Sequence, residues 1–131
     1  MFLCDDDDAY RRLLRIVLID SGMEIVGEGG DGAACIAAVE EAAPDVVLLD
    51  LNMPGMNGFE ALPVLRRTVP DAKVIVLSTA ADGASASAAR RLGAHGYLPK
   101  PIDIFELPDL LCDLLAGDKE PTERASAKRQ A

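Results

Sequence analysis

The chain has 131 residues, half of them apolar, and a formal net charge of −9. This length allows one compact domain with a hydrophobic core and leaves no room for a second folded unit of ordinary size. The acidic excess repels the phosphate backbone of nucleic acids, so direct binding of DNA or RNA by this chain is not expected.

Two features of the sequence indicate a cytoplasmic protein with no membrane partner. The longest apolar runs, such as residues 16–19, are too short to span a bilayer, and no signal-peptide pattern opens the sequence. The three cysteines, Cys4, Cys35 and Cys112, are widely separated and lie among apolar residues. We expect them to be buried reduced thiols rather than disulfides or zinc ligands.

Hydrophobic patterning predicts five strands that alternate with five helices. The predicted strands are residues 2–4, 23–27, 44–50, 73–78 and 96–99. The predicted helices run from near Tyr10 after a cap at Asp8, from a cap at Asp31 to Glu41, from Phe59 to Thr68, within the small-residue segment 81–92, and through Leu107, Leu110, Leu111 and Leu114. Pro63 and Pro108 fall inside predicted helices, and Pro108 is expected to open the last helix at its first position.

This alternation is typical of an α/β fold in which a doubly wound parallel sheet lies between two layers of helices. In such sheets, ligands bind beyond the carboxyl ends of the strands. The polar residues that end or follow the predicted strands are Asp5, Asp6, Asp50, Ser78 and Lys100. We therefore expect these side chains to meet at one edge of the sheet.

The residue types at this edge predict phosphoryl transfer with a divalent cation. The carboxylates of Asp5, Asp6 and Asp50 would repel one another unless a cation bound them, and oxygen-only ligands suit Mg²⁺ better than zinc or copper. Asp50 is the candidate nucleophile that would attack phosphorus and form an aspartyl phosphate. Lys100 and Ser78 would then interact with the phosphoryl oxygens.

Four segments resemble the receiver domain of bacterial response regulators in two-component signalling. They are CDDDD at 4–8, DVVLLDLNMPGMNGFEAL at 45–62, VIVLSTA at 74–80 and GYLPKP at 96–101. The resemblance implies a flavodoxin-like sheet with strand order 2-1-3-4-5 and a receiver domain over residues 1–116. It leaves 117–131 as a flexible polar tail or the start of a linker.

The resemblance also implies the roles of the acidic residues. Asp5, Asp6, Asp50 and the main-chain carbonyl of Asn52 would bind Mg²⁺, and Asp50 would be phosphorylated. Two departures from the family pattern affect these assignments. The chain starts only a few residues before the acidic pair, so the first strand is expected to be short. Four aspartates occupy positions 5–8, so Asp5 and Asp6 are assigned by spacing and Asp7 stays open as a helper.

In the same family, a hydroxyl and an aromatic residue form a conformational switch. By resemblance, Ser78 would turn toward the phosphoryl group while Tyr97 moves inward behind it. Lys100 would pair with the phosphoryl group, and the bond from Lys100 to Pro101 would be cis.

The resemblance implies a signalling domain that catalyses only its own phosphorylation and dephosphorylation. Its phosphoryl donor would be a sensor histidine kinase, and its output domain or partner would bind the face made by the fourth helix, fifth strand and fifth helix. A homodimer that forms on phosphorylation is also open. The segment 81–91 has almost no large apolar side chain, so we expect the fourth helix to be weakly anchored.

Three other functions compete with this interpretation. The segment GEGGDG at 27–32 matches a dinucleotide-binding pattern, but it follows the second predicted strand rather than the first. A haloacid-dehalogenase-like phosphatase would need an acid two residues after Asp50, where this chain has Asn52. The third is a receiver-like binding module that works without phosphorylation. The lone His95 is expected to be an exposed polar residue rather than a phosphate relay.

Overall fold

The computed structural model describes residues 1–79 and 83–116, in which five strands alternate with five helices. In chain order the elements are β1 (Phe2–Cys4), α1 (Asp8–Asp20), β2 (Gly27–Gly29), α2 (Gly32–Ala42), β3 (Val46–Leu49), α3 (Gly58–Thr68), β4 (Lys73–Ser78), α4 (Gly83–Arg91), β5 (Gly96–Pro99) and α5 (Leu107–Leu115). The predicted tail at 117–131 lies outside the described residues.

The strands form one parallel sheet in the order β2-β1-β3-β4-β5, which confirms the predicted fold class. Strand β1 pairs along its whole length with both of its neighbours, β2 and β3, even though it has only three residues. The chain order reverses direction on either side of β1, so the sheet has its switch point between β1 and β3. Ligand sites in such folds lie at this point, beyond the carboxyl ends of the strands.

Two buried clusters cover the two faces of the sheet, because successive strand side chains point to opposite faces. The first cluster includes Phe2, Cys4, Val47, Leu49, Val74, Val76 and Tyr97 from the strands, with Cys35, Val39, Leu62, Leu65 and Ala89 from α2, α3 and α4. The second includes Leu3, Leu48, Ile75, Leu77 and Leu98, with Leu14, Leu18, Leu107, Leu111 and Leu114 from α1 and α5. Helices therefore lie on both faces, as a three-layer fold requires.

The second strand was predicted in the wrong place, at 23–27 instead of Gly27–Gly29. Met23 and Ile25 do pack against the second cluster, so the apolar pattern reported burial correctly. The ladder with β1 is made instead by the three residues that follow, from Gly27 to Gly29. Gly27 lies against the ring of Phe2, where a Cβ atom would be 2.7 Å from Cε2.

The first helix is capped by Asp7. The sequence had indicated Asp8 as the cap, so that prediction was wrong by one residue. The Asp7 Oδ1 atom accepts a hydrogen bond of 3.0 Å from the backbone N–H of Tyr10. This bond satisfies one of the free donors at the helix start, and α1 begins at Asp8 in consequence. The cap predicted at Asp31 is present, with a bond of 2.7 Å from the N–H of Ala34.

The prolines and the remaining single residues give mixed outcomes. Pro63 lies inside α3, and Pro108 is the second residue of α5, where the first turn tolerates it. Cys112 is exposed, which corrects the expectation that all three cysteines are buried. His95 is exposed, as expected, and its Nδ1 accepts a hydrogen bond of 3.0 Å from the N–H of Val74.

Among the described helices, none has both the length and the apolar character that a membrane crossing requires.

Candidate functional site

The site residues continue the sheet ladder by one step beyond the carboxyl ends of the strands. The backbone N–H of Asp5 donates to Gly29 O at 3.1 Å, and that of Asp50 donates to Cys4 O at 2.8 Å. The N–H of Lys100 donates to Ser78 O, also at 2.8 Å. Each residue is therefore fixed to a neighbouring strand by its main chain, so its side chain starts from a defined position.

Three carboxylates meet at this edge. Asp5, Asp6 and Asp50 each offer an oxygen atom, and these atoms all lie within 4.8 Å of one another. Asp5 and Asp50 are buried, at 4% and 6% exposure, while Asp6 is exposed. A cluster of oxygen ligands that is open on one side fits a hard divalent cation such as Mg²⁺, which keeps several water ligands. The Asp7 carboxylate is outside this group and serves as the helix cap.

Lys100 lies between two of these carboxylates. Its Nζ atom is 2.6 Å from Asp5 Oδ2 and 3.6 Å from Asp50 Oδ2, and its side chain is 14% exposed. Burial alone would lower the pKa of Lys100, but the hydrogen bond that it donates to Asp5 and the charges of Asp5 and Asp50 outweigh burial and raise the pKa. The ammonium group is therefore charged at neutral pH.

Asp50 is held at both of its carboxylate oxygens. Oδ1 accepts a hydrogen bond of 3.0 Å from the backbone N–H of Asn52, and Oδ2 faces the Lys100 ammonium group. Burial raises the pKa of Asp50, the Asn52 N–H and Lys100 oppose that rise, and the charges of Asp5 and Asp6 add to it. The result is a buried carboxylate with a fixed orientation beside a cation.

The side chain of Asn52 connects this carboxylate to the end of β4. Its Nδ2 atom donates to Ser78 Oγ at 3.3 Å and to Thr79 Oγ1 at 3.0 Å. Ser78 is fully buried, and Thr79 is exposed. The sequence had indicated a role only for the main-chain carbonyl of Asn52. The contacts of its side-chain amide and of Thr79 were not predicted, because side-chain direction cannot be read from spacing.

Tyr97 is on the same face of the sheet as Ser78 but further from the carboxylates. It pairs in register with Val76, two residues before Ser78, and its side chain belongs to the first cluster. Tyr97 is 5% exposed, so the ring is already buried in this structure. The expected inward movement of this residue therefore starts from a buried position.

The first turn of α1 supplies two further residues that sequence analysis missed. Tyr10 places its ring beneath the Lys100 ammonium group, with Nζ 4.3 Å from the ring centroid. The Arg11 guanidinium donates to the carbonyl oxygen of Asp5, pairs with Asp8, and lies 3.2 Å from Glu28 Oε1. Burial lowers the pKa of Arg11, but its two acidic partners outweigh this and raise it.

The family model of the response regulator receiver domain matches residues 1–111. The chain belongs to this family. Such receiver domains are signalling modules of two-component systems, and they generally bind Mg²⁺ at an acidic pocket that corresponds to the Asp5, Asp6 and Asp50 cluster. The peptide bond between Lys100 and Pro101 is cis, as the resemblance implied.

Two curated response regulators and one solved receiver domain are each between 32% and 39% identical to this chain in sequence. The nitrate/nitrite response regulator protein NarP of Escherichia coli is 39% identical over 127 residues, which cover 96% of this chain and 59% of NarP. The DNA-binding transcriptional activator DevR/DosR of Mycobacterium tuberculosis is 34% identical over 132 residues, covering all of this chain and 61% of that protein. The signal receiver domain of the response regulator NarL from Mycobacterium tuberculosis superposes with a TM-score of 0.81 at 32% identity, covering 88% of this chain and 94% of that domain. The chain thus spans less than two thirds of the length of either curated relative.

Proposed function

We propose that Asp50 accepts a phosphoryl group from the phosphohistidine of a sensor histidine kinase in a Mg²⁺-dependent reaction. The observation that carries this proposal is the pair of contacts to Asp50: the Asn52 N–H on one oxygen and the Lys100 ammonium 3.6 Å from the other. A nucleophile for in-line transfer needs a fixed orientation and nearby positive charge. Both are present at this carboxylate.

In the proposed reaction, an Asp50 oxygen forms a bond to phosphorus while the bond from phosphorus to the kinase histidine nitrogen breaks. The electron pair of the broken bond stays with the imidazole, and a small donor such as acetyl phosphate would react in the same way at its P–O bond. Asp5, Asp6, Asp50 and the main-chain carbonyl of Asn52 would hold Mg²⁺, which when bound neutralises charge on the phosphoryl oxygens. Lys100 would stabilise the negative charge on another of the phosphoryl oxygens.

The switch would begin with an exchange of hydrogen bonds at Ser78. Its hydroxyl accepts from the Asn52 amide before phosphorylation, and it would donate to a phosphoryl oxygen afterwards. Tyr97 lies behind it on the same face, in the cluster that also contains Ala89 of α4. Because Ala89 is the one buried residue of α4, small changes at this point would move the helix. The surface made by α4, β5 and α5 would then bind the output partner.

The output is proposed to lie outside this domain. Residues 1–116 would form the receiver domain, and 117–131 would be a polar tail or the start of a linker. NarP and DevR/DosR are regulators that extend well beyond the matched region, and DevR/DosR is a DNA-binding transcriptional activator. By analogy, any nucleic acid binding would belong to a further domain or a partner, because this chain carries a net charge of −9.

The proposal is tested by incubating the protein with acetyl phosphate, or with beryllofluoride, in the presence of Mg²⁺. We expect a mass increase of one phosphoryl group with acetyl phosphate and a shift of amide resonances near Ser78 and α4 with beryllofluoride. Both responses should be lost with chelator and in Asp50→Asn, and retained in Asp71→Asn, which makes the same charge change at an exposed turn. Light scattering on the same samples reports whether a homodimer forms.

If the folded protein gave no response to either reagent, the alternative of a binding module that works without phosphorylation would take precedence.

A further inference from the structure

The Lys100 ammonium group has a third neighbour besides the two carboxylates. Its Nζ atom is 4.3 Å from the centroid of the Tyr10 ring, a distance at which a cation is attracted to the electron-rich face of an aromatic ring. Asp5 and Asp50 occupy the other sides at 2.6 and 3.6 Å. The Lys100 side chain is thus enclosed by two anions and one ring.

The position of the Tyr10 ring is set by the start of α1. Tyr10 is the third residue of the helix, and its backbone N–H is the one that Asp7 caps at 3.0 Å. Its ring is half-buried and packs against the second cluster, which also contains Leu14 one turn later. Both the main chain and the ring are therefore held, and the ring presents a fixed face to Lys100.

The carboxylates are unsuited to hold Lys100 throughout the reaction. Asp5, its nearest partner, is also a proposed ligand of Mg²⁺, and Asp50 is the proposed acceptor. When a cation and a phosphoryl group occupy the site, both anions have other partners. The Tyr10 ring carries no charge and binds neither group, so its contact with Lys100 remains available.

We propose that Tyr10 is a positioning residue. Its ring face holds the Lys100 ammonium group beside the phosphoryl group while Asp5 binds the metal and Asp50 carries the phosphoryl group. This inference rests on the proposed function of Asp50. It assigns to the first turn of α1 a part in phosphoryl transfer, although Tyr10 touches neither the donor nor the metal.

Tyr10→Leu and Tyr10→Phe test the proposal as a pair. Leucine keeps an apolar side chain against the second cluster but has no ring face, whereas phenylalanine keeps the ring. With acetyl phosphate and Mg²⁺, we expect the phosphorylation rate constant of Tyr10→Leu to fall about three- to tenfold, and that of Tyr10→Phe to stay within about twofold of the original protein. Recovery with phenylalanine separates a ring contact from general damage to the fold.

A spectroscopic measurement on the unphosphorylated protein tests the contact without any reaction. The Lys100 Nζ atom lies over the Tyr10 ring, so the resonance of the protons on the adjoining Cε atom should be shifted upfield in the original protein and in Tyr10→Phe, and should return to its ordinary position in Tyr10→Leu. An unshifted resonance in the original protein would refute the contact.

The possible failures are distinguishable. If the original protein is phosphorylated and Tyr10→Leu reacts at the same rate, the role of Tyr10 is refuted while the proposed function stands. If Tyr10→Phe is as slow as Tyr10→Leu, the hydroxyl rather than the ring face is responsible, which also refutes the proposal. If the original protein is not phosphorylated at all, the proposed function fails, and Tyr10 has no reaction to assist.

Discussion

Replacing Asp50 by asparagine should stabilise the folded protein at neutral pH when no divalent cation is present. The Asp50 side chain is 7% exposed and carries a negative charge in a cluster with Asp5 and Asp6. Asparagine has nearly the same shape, and its side-chain oxygen can still accept the hydrogen bond from the Asn52 N–H. The substitution therefore removes the charge with little change in packing.

The pairwise charge interactions of Asp50 largely cancel, so burial decides the sign. At an effective dielectric constant of about 20, the attraction of Lys100 at 3.6 Å is about 4.6 kcal/mol, and the repulsion of Asp5 within 4.8 Å is about 3.5 kcal/mol or more. Asp6 adds a smaller repulsion because it is exposed. The remaining cost is desolvation of a buried carboxylate, only part of which the Asn52 N–H offsets. We expect a net gain of about 1–2 kcal/mol, or about 3–8 °C in Tm.

The pH dependence distinguishes this cause from others. Because the pKa of Asp50 is raised in the folded protein, the folded state binds a proton more tightly than the unfolded chain does. Asp50 therefore destabilises the fold above its folded pKa, and the effect disappears below its ordinary value of 3.8. Urea unfolding in chelator at neutral pH and near pH 3 should show the gain only at neutral pH. Asp71→Asn is the control for net charge; an equal gain there, or no gain in Asp50→Asn, would refute the reasoning.

Three further predictions concern the binding of the metal, the close packing of the first residue of α3 against Asp50 and Leu51, and the mobility of α4. Saturating Mg²⁺, at about ten times its Kd, should raise the unfolding free energy by about 1.4 kcal/mol, and a chelator or Asp50→Asn should remove most of this gain; equal stabilisation of the variant would contradict it. Gly58→Ala should lose about 2 kcal/mol or more in urea, because a Cβ atom would lie 2.5 Å from Leu51 Cα and 2.7 Å from Asp50 O, whereas Gly83→Ala, with open space, should be neutral or stabilising. Amide hydrogen exchange should be faster in α4 than in β3 because Ala89 alone is buried in α4; equal protection with and without beryllofluoride would argue against a mobile α4.

The sequence was sufficient to predict the parallel sheet and the edge at which the polar residues meet. Both follow from the alternation of strands and helices, which the apolar pattern of the sequence shows. Runs such as 46–49 and 73–78 are apolar at every position or nearly so, as strands buried on both faces must be. The polar residues after them then had to lie together. The error at β2 had a different origin: Met23 and Ile25 are apolar because they pack against a helix layer, and hydrophobicity does not report which residues form the ladder.

The segment at 27–32, which matches a dinucleotide-binding pattern, shows that a glycine pattern is also ambiguous. Its glycines are explained by close packing: a Cβ atom on Gly29 would lie 2.7 Å from Cys35 Sγ, and one on Gly32 would lie 2.5 Å from Met56 O. A glycine pattern records where another group approaches the backbone, but not whether that group is a ligand or a neighbouring side chain. Here the neighbours are the protein's own residues, Cys35 of α2 and Met56 of the segment before α3.

Three of the contacts that were not predicted from the sequence come from one segment, the start of α1, and they show how the site holds its buried charges. Asp7, Tyr10 and Arg11 all belong to the start of α1, directly after the acidic pair. Asp7 fixes the helix end, Tyr10 lies under the Lys100 ammonium, and Arg11 binds the carbonyl of Asp5. The buried charges are paired: Lys100 Nζ lies 2.6 Å from Asp5 Oδ2, and the backbone N–H of Asp7 donates to Asp5 Oδ1 at 2.9 Å. This turn therefore positions both partners of the ion pair, because Tyr10 contacts the lysine while Asp7 and Arg11 bind the acidic segment. A divalent cation that binds Asp5 would meet a carboxylate whose orientation is already fixed.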